Sequence, residues 1–220
     1  MADVASDVTE LVEHLGVGRF VTVGWWGGGP HALACARLAP RCATVATIAG
    51  VAPYGSKGWT GPQAWAGARR GVRVSHRRRA RVAGQDGEEM VGLAPLQPEQ
   101  VVDALVGLIS APDRRCLAEG FDDFIAAWIR LAVSTGADGY WDDNVAIIVD
   151  WGFDLDAINV PVTACRADLD LMVPPTHGEW LAANVPGATG ILKKGEGHIS
   201  LVHRYVGDII GCLASAPGPL

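Results

Sequence analysis

The run Val21-Thr22-Val23-Gly24-Trp25-Trp26-Gly27-Gly28-Gly29-Pro30-His31 carries the most specific chemical pattern in this chain. An apolar, β-type stretch from Phe20 to Val23 feeds into glycines and then into an Ala/Leu-rich helical stretch. This is the strand–sharp turn–helix context in which a G-x-S-x-G motif presents a serine hydroxyl as a nucleophile. Gly24 and Gly28 stand two residues either side of Trp26, where absent side chains let the backbone turn tightly. The central position should then carry a hydroxyl. It carries an indole, which cannot attack a carbonyl carbon, and no aspartate nucleophile stands there either.

Other arrangements of reactive side chains are less specific. His198 and His203 are off the i, i+4 spacing of a helical metal pair, so no metal is expected. The glycines match neither G-x-G-x-x-G nor G-x-x-x-x-G-K-[ST], so no nucleotide and no other cofactor is expected. His31 should pack at the helix start after the turn and His177 beside a helix N-terminus, with His14 and His76 exposed. The five cysteines, Cys35, Cys42, Cys116, Cys165 and Cys212, are scattered without a C-x-x-C. They read as free, buried thiols of a cytoplasmic protein.

These residues need elements to position them. Val4, Val8, Leu11, Val12 and Leu15 share one helical face, and Gly16 is a natural stop, predicting a helix over 4–15. Strands are predicted at 20–24, 43–48, 160–165 and 189–192. Helices are predicted at 30–39, 98–110, 113–133, 176–184 and 199–213. Alternating strands and helices imply a parallel sheet with helices on its faces. The chain divides into residues 1–53, a βα core part bearing the turn; 54–150, an insertion; and 151–220, a second core part. Trp59, Trp65, Trp128, Trp141 and Trp151 lie in or beside the insertion and would suit an apolar substrate wall.

With 220 residues, 49% hydrophobic content and a net charge of −6, the composition is that of a soluble, mildly acidic protein. No apolar run reaches the ~18 residues of a membrane-spanning helix, and the acidic N-terminus lacks the basic start of a signal peptide. Residues 64–85 differ from their flanks: Arg69, Arg70, Arg73, Arg77, Arg78, Arg79 and Arg81 occur there without a single acid. No aromatic interleaving or apolar periodicity accompanies them. A solvated or disordered insert is expected, and no nucleic-acid partner.

The turn segment resembles the nucleophile elbow of the serine-dependent, esterase-like α/β-hydrolases, written Gly-Trp-Ser-Gly-Gly-Gly-Pro-His-Ala in similar members. Two later segments extend the resemblance. Asp168-Leu169-Asp170-Leu171-Met172-Val173-Pro174 resembles the loop that carries the triad acid, which implies Asp170, with Asp168 as the fallback. Lys194-Gly195-Glu196-Gly197-His198 resembles the final loop that carries the catalytic histidine, which implies His198. The order of elbow, acid and histidine is the order that family requires. There, histidine removes the hydroxyl proton, and the carboxylate fixes its tautomer and stabilises the imidazolium. The resemblance also implies an oxyanion-hole N–H at Gly27, a helical cap over the site within 54–150, and a small apolar, ester-like substrate.

Two departures qualify that implication. Trp26 takes the nucleophile position. The resemblance also covers only about the last two thirds of a typical member, so the chain resembles an N-terminally truncated one. The expected fold is therefore a partial α/β-hydrolase fold with about four mainly parallel strands and a helical cap insertion. The elbow strand becomes a sheet edge that could pair with a second copy. The expected function is that of an inactive or very weak relative. The alternative is a non-catalytic module that binds a ligand or another protein.

Overall fold

The computed structural model of the protein describes residues 1–55 and 91–215. The Arg-rich stretch 64–85, with Trp59, Trp65 and His76, lies outside the described residues. Four strands form one sheet: β1 (Phe20–Trp25), β2 (Cys42–Ile48), β3 (Val162–Ala167) and β4 (Ala188–Lys193). All pairings are parallel, in the spatial order β1-β2-β3-β4. The expected strand count, direction and edge position of the elbow strand all agree with this arrangement.

Parallel strands read as apolar runs because both of their faces are covered. Helices α1 (Val4–His14) and α2 (Gly28–Ala34) precede β2, and α2 continues as a 3₁₀ turn over Cys35–Leu38. On one face Val45, Val162 and Ala164 pack with Leu33 and Ala36, with Leu181 from a later helix and with Val185 just after it. On the other face Ala46, Ile48, Cys165 and Ala167 pack with Leu201, Ile209 and Leu213 of the last helix. Neighbouring strand residues thus point to opposite cores, as the pleat requires. The apolar face expected of α1 is only partly used. Ala5 and Val12 are buried, whereas Leu11 and Leu15 are exposed among the described residues.

Between β2 and β3 the chain forms α3 (Pro98–Ala104), α4 (Ala111–Cys116), α5 (Asp122–Ala132) and α6 (Asp138–Ile148). The continuous helix expected over 113–133 is broken. Leu117–Phe121 forms a π turn in which Gly120 adopts φ 103°, and α5 starts again after it. Glycine tolerates that left-handed backbone because it has no Cβ. The break lets Cys116 and Leu117 share one core with Ile125, Ala126, Ile129 and Val133. Helix α6 was not expected. It opens on the polar run Asp138-Gly-Tyr-Trp-Asp-Asp-Asn144 and buries only Ile147 over its whole length, so it shows little of the periodicity that marks a helix.

After β3 come α7 (Thr176–Asn184), β4 and α8 (His198–Ala214). No helix among the described residues is long and apolar enough to cross a membrane.

Candidate active site

The C-terminal ends of the parallel strands lie along one edge of the sheet, and those of β1, β3 and β4 each lead into one candidate side chain. At the end of β1, Trp26 adopts φ 54°, a left-handed conformation that a bulky residue rarely takes. Hydrogen bonds hold it there: its N–H donates to the Ile48 carbonyl (2.9 Å), and its own carbonyl accepts from the Gly29 N–H (3.0 Å). Such strain is characteristic of residues presented by a tight turn.

The glycine requirement is only partly the expected one. A Cβ on Gly24 would fall on the backbone carbonyl of Gly28, so residue 24 must be glycine. At Gly28 itself a Cβ would meet nothing; only the main chain of that residue matters. The second demanding position is Gly29, whose Cβ would stand 2.9 Å from the Gly50 Cα. That contact brings α2 down onto the end of β2. The Gly27 N–H, at the start of α2, donates to no acceptor among the described residues.

Asp170 and His198 come together. Asp170 is buried in the loop after β3, and its Oδ1 accepts the N–H groups of Met172 (2.9 Å) and Val173 (2.7 Å). Its Oδ2 lies 2.8 Å from Nδ1 of His198, the first residue of α8. A carboxylate only accepts, so the imidazole proton sits on Nδ1 and the Nε2 lone pair is left for another group. That Nε2 is buried and has no hydrogen-bond partner among the described residues. Instead the ring packs against two indoles: Trp25 at 5.2 Å and Trp26, edge-on, at 5.4 Å. The fallback Asp168 is exposed and does a different job. Its Oδ1 accepts the Gly195 N–H (2.7 Å), tying together the loops that carry Asp170 and His198.

The tryptophans divide between site and core. Trp128 on α5 packs on Trp25 (6.2 Å), whose ring in turn neighbours that of His198. Trp151, expected in a substrate wall, is a core residue: its Nε1 donates to the Ile147 carbonyl (3.1 Å) and its ring stacks on Phe153. Trp141 is half-buried on α6. His31 sits inside α2 rather than at its start, with Nε2 3.7 Å from Asp143.

Two buried groups do more than their local sequence showed. Asp113 on α4 is fully buried and binds the start of α8; Ser110-x-x-Asp113 is a capping-box pattern that could have marked it. His177, the second residue of α7, is fully buried, and its Nδ1 accepts the Ala52 N–H (2.9 Å). Accepting at Nδ1 requires the neutral ring, and burial pushes the His177 pKa down to about 4 from 6.5. A depressed pKa stabilises the fold above 6.5, and that stability is lost as the pH falls through about 4. Urea midpoints should therefore fall between pH 6.5 and about 4, with up to about 3 kcal/mol attributable to His177. His177→Asn should flatten the part of the slope between pH 6.5 and 5, where carboxylates contribute least. An unchanged slope would remove His177 as its cause.

No family model and no curated protein matches the sequence. Solved structures match it over nearly all of its length. A hydrolase from Pseudomonas aeruginosa superimposes with a TM-score of 0.62 at 21% identity, covering 96% of this chain and 71% of that one. An enol-lactonase from Burkholderia xenovorans gives 0.63 at 25% identity, with the same coverage. An esterase from a Rhodococcus species gives 0.59 at 16% identity, covering 97% of this chain and 72% of that one. The chain has the α/β-hydrolase fold, and these structural neighbours are hydrolases and esterases of that fold.

Proposed function

We propose that this protein comes from the serine-dependent, esterase-like branch of the α/β-hydrolases and holds the base and acid of a Ser–His–Asp triad without its nucleophile. Asp170 is the acid, His198 the base, Gly27 an oxyanion donor and Trp26 the residue standing at the nucleophile position. The observation that carries this reading is the buried His198–Asp170 pair, whose imidazole has an unpartnered Nε2 and lies edge-on, 5.4 Å between ring centres, to Trp26 on the strained elbow. A serine at residue 26 would give that nitrogen its hydroxyl. An indole cannot, and its bulk takes up space that a small apolar ester would need. The helices between β2 and β3 act as the cap, with Trp128 packed on Trp25, the indole that itself neighbours His198. A cytoplasmic setting fits the five free thiols, four of them buried.

The unaltered protein is expected to hydrolyse short-chain p-nitrophenyl esters no faster than a buffer blank with an equal mass of inert protein. Without a nucleophile, any residual rate rests on binding and the oxyanion donor alone. Strong esterase turnover, abolished by His198→Gln, would overturn the reading.

One observation favours a second reading, a non-catalytic interaction module. Among the described strands β1 pairs with β2 alone, so Phe20–Trp25 presents an open backbone edge. Open edges template pairing with another chain, a second copy included. A dimer by light scattering at micromolar concentration would support it; a monomer would count against it.

A further inference from the structure

Asp170 is not the only buried carboxylate that grips His198. Asp113 lies on α4, between β2 and β3, and is fully buried. Its Oδ2 accepts the Ser110 N–H (3.1 Å), the Ser110 hydroxyl (2.9 Å) and the His198 N–H (3.2 Å). Its Oδ1 accepts the N–H groups of Ile199 and Ser200, both at 2.9 Å. Three of these five donors belong to the first turn of α8, which a helix leaves without partners of its own. A negative charge also suits the positive end of the helix dipole. Space has been cleared for this contact: a Cβ on Gly197 would collide with the Ser110 Oγ and the Asp113 carboxylate.

The same residue is thus held twice, by its ring through Asp170 and by its backbone through Asp113. The two holders come from different parts of the chain, the loop after β3 and the helices inserted before it. We propose that Asp113 is a positioning residue for His198: it fixes the first turn of α8, so the aim of the imidazole at Asp170 and at the elbow depends on the inserted helices. This rests on the reading of His198 and Asp170 as base and acid. The mechanism is steric and direct. His198 opens its helix, so loosening that turn moves its Cα and stretches a 2.8 Å hydrogen bond that tolerates little displacement. Ser200 reinforces the turn, its Oγ accepting the Gly197 N–H at 2.8 Å.

The test is histidine-selective nitrogen NMR on the full chain as the unaltered protein, Asp170→Asn and Asp113→Asn. Asparagine keeps the shape and one acceptor for Ile199 and Ser200 but turns donors toward the other three donors. The unaltered protein should show a strongly downfield His198 Nδ1–H signal that Asp170→Asn removes. Asp113→Asn should remove or broaden it while far-UV circular dichroism and methyl spectra stay native. In a Trp26→Ser background the same change should slow fluorophosphonate labelling about 10²-fold, as a misplacement of about 1 Å does. A downfield signal absent from the unaltered protein would overturn the base–acid reading. A signal present there and unchanged in Asp113→Asn would overturn the positioning role alone. Should Asp113→Asn not fold, hydrogen exchange of the unaltered protein decides. The His198, Ile199 and Ser200 amides should exchange as slowly as that of Leu201, which donates to the Gly197 carbonyl, and exchange at loop rates would overturn the proposal.

Discussion

Trp26→Ser should convert a protein inert to a fluorophosphonate into one labelled covalently at residue 26, with labelling at least ~10³-fold faster than at any serine of the unaltered chain. The expectation follows from what already surrounds the position. The elbow backbone is formed, with Gly24 making room for the Gly28 carbonyl. The histidine is buried, tautomerically set by Asp170, and its Nε2 awaits a donor. In serine hydrolases the loss of nucleophile or base alone costs on the order of 10⁶ in kcat, so restoring a hydroxyl has a wide range to recover. Ester turnover should lag behind labelling, because Gly27 is the one oxyanion donor that the resemblance maps onto this sequence. A missing donor costs roughly 10²–10³. Replacing a half-buried indole also opens a void, and a loss of about 2 kcal/mol in stability should accompany the gain. Intact-mass and peptide mass spectrometry read the outcome. Adding His198→Gln to the Trp26→Ser variant should return labelling to baseline. A folded Trp26→Ser protein that resists the probe would mean that the His198–Asp170 pair does not serve a nucleophile at this position.

Gly24→Ala should abolish folding, whereas Gly28→Ala, the other glycine flanking Trp26, should be tolerated. At residue 24 the added methyl has nowhere to go, since the atoms it meets are backbone atoms of Gly28 and Gly29. Backbone cannot give way as a flexible side chain can, and the cost should exceed ~4 kcal/mol, among the largest for a single substitution. At residue 28 a Cβ meets nothing within 4 Å. Alanine there also opens α2 with a better helix former, so the change should lie within about 1 kcal/mol, on the stabilising side. For a chain of this length ~1 kcal/mol moves the melting midpoint by about 2–4 °C. Thermal unfolding and soluble yield therefore separate the two variants. A Gly24→Ala protein that melts like the unaltered one would show that the elbow is looser than its geometry indicates.

Much of the fold was legible because it rests on local pattern. Apolar runs at 43–48 and 160–165, separated from their neighbours by helical periodicity, led to a parallel sheet with the elbow strand at its edge. Errors arose where periodicity was misleading or weak. The apolar repeat over 113–133 continues straight through Gly120, although the backbone kinks there. The polar face of 138–148 hid a helix that makes little use of amphipathicity. At the site, Asp170 and His198 could be named because their local sequences resemble a known pattern. Asp113 could not, although Ser110-x-x-Asp113 was visible, because its main partners lie at residues 198–200.

The sequence by itself determined that a strand must turn sharply at residues 24–28, that a tryptophan stands where a hydroxyl would act, and that an aspartate and a histidine follow in order. Backbone preference and side-chain chemistry decide such things within a few residues. Only the tertiary structure decided that His198 packs against Trp25 and Trp26, that Asp113 binds the start of its helix, that His177 is kept neutral in the core, and that Gly29 rather than Gly28 is sterically required. Each of these depends on groups far apart in the chain meeting at hydrogen-bond or van der Waals distance. Such meetings are set by how the sheet, its helices and the inserted segment pack, and no local pattern encodes that packing.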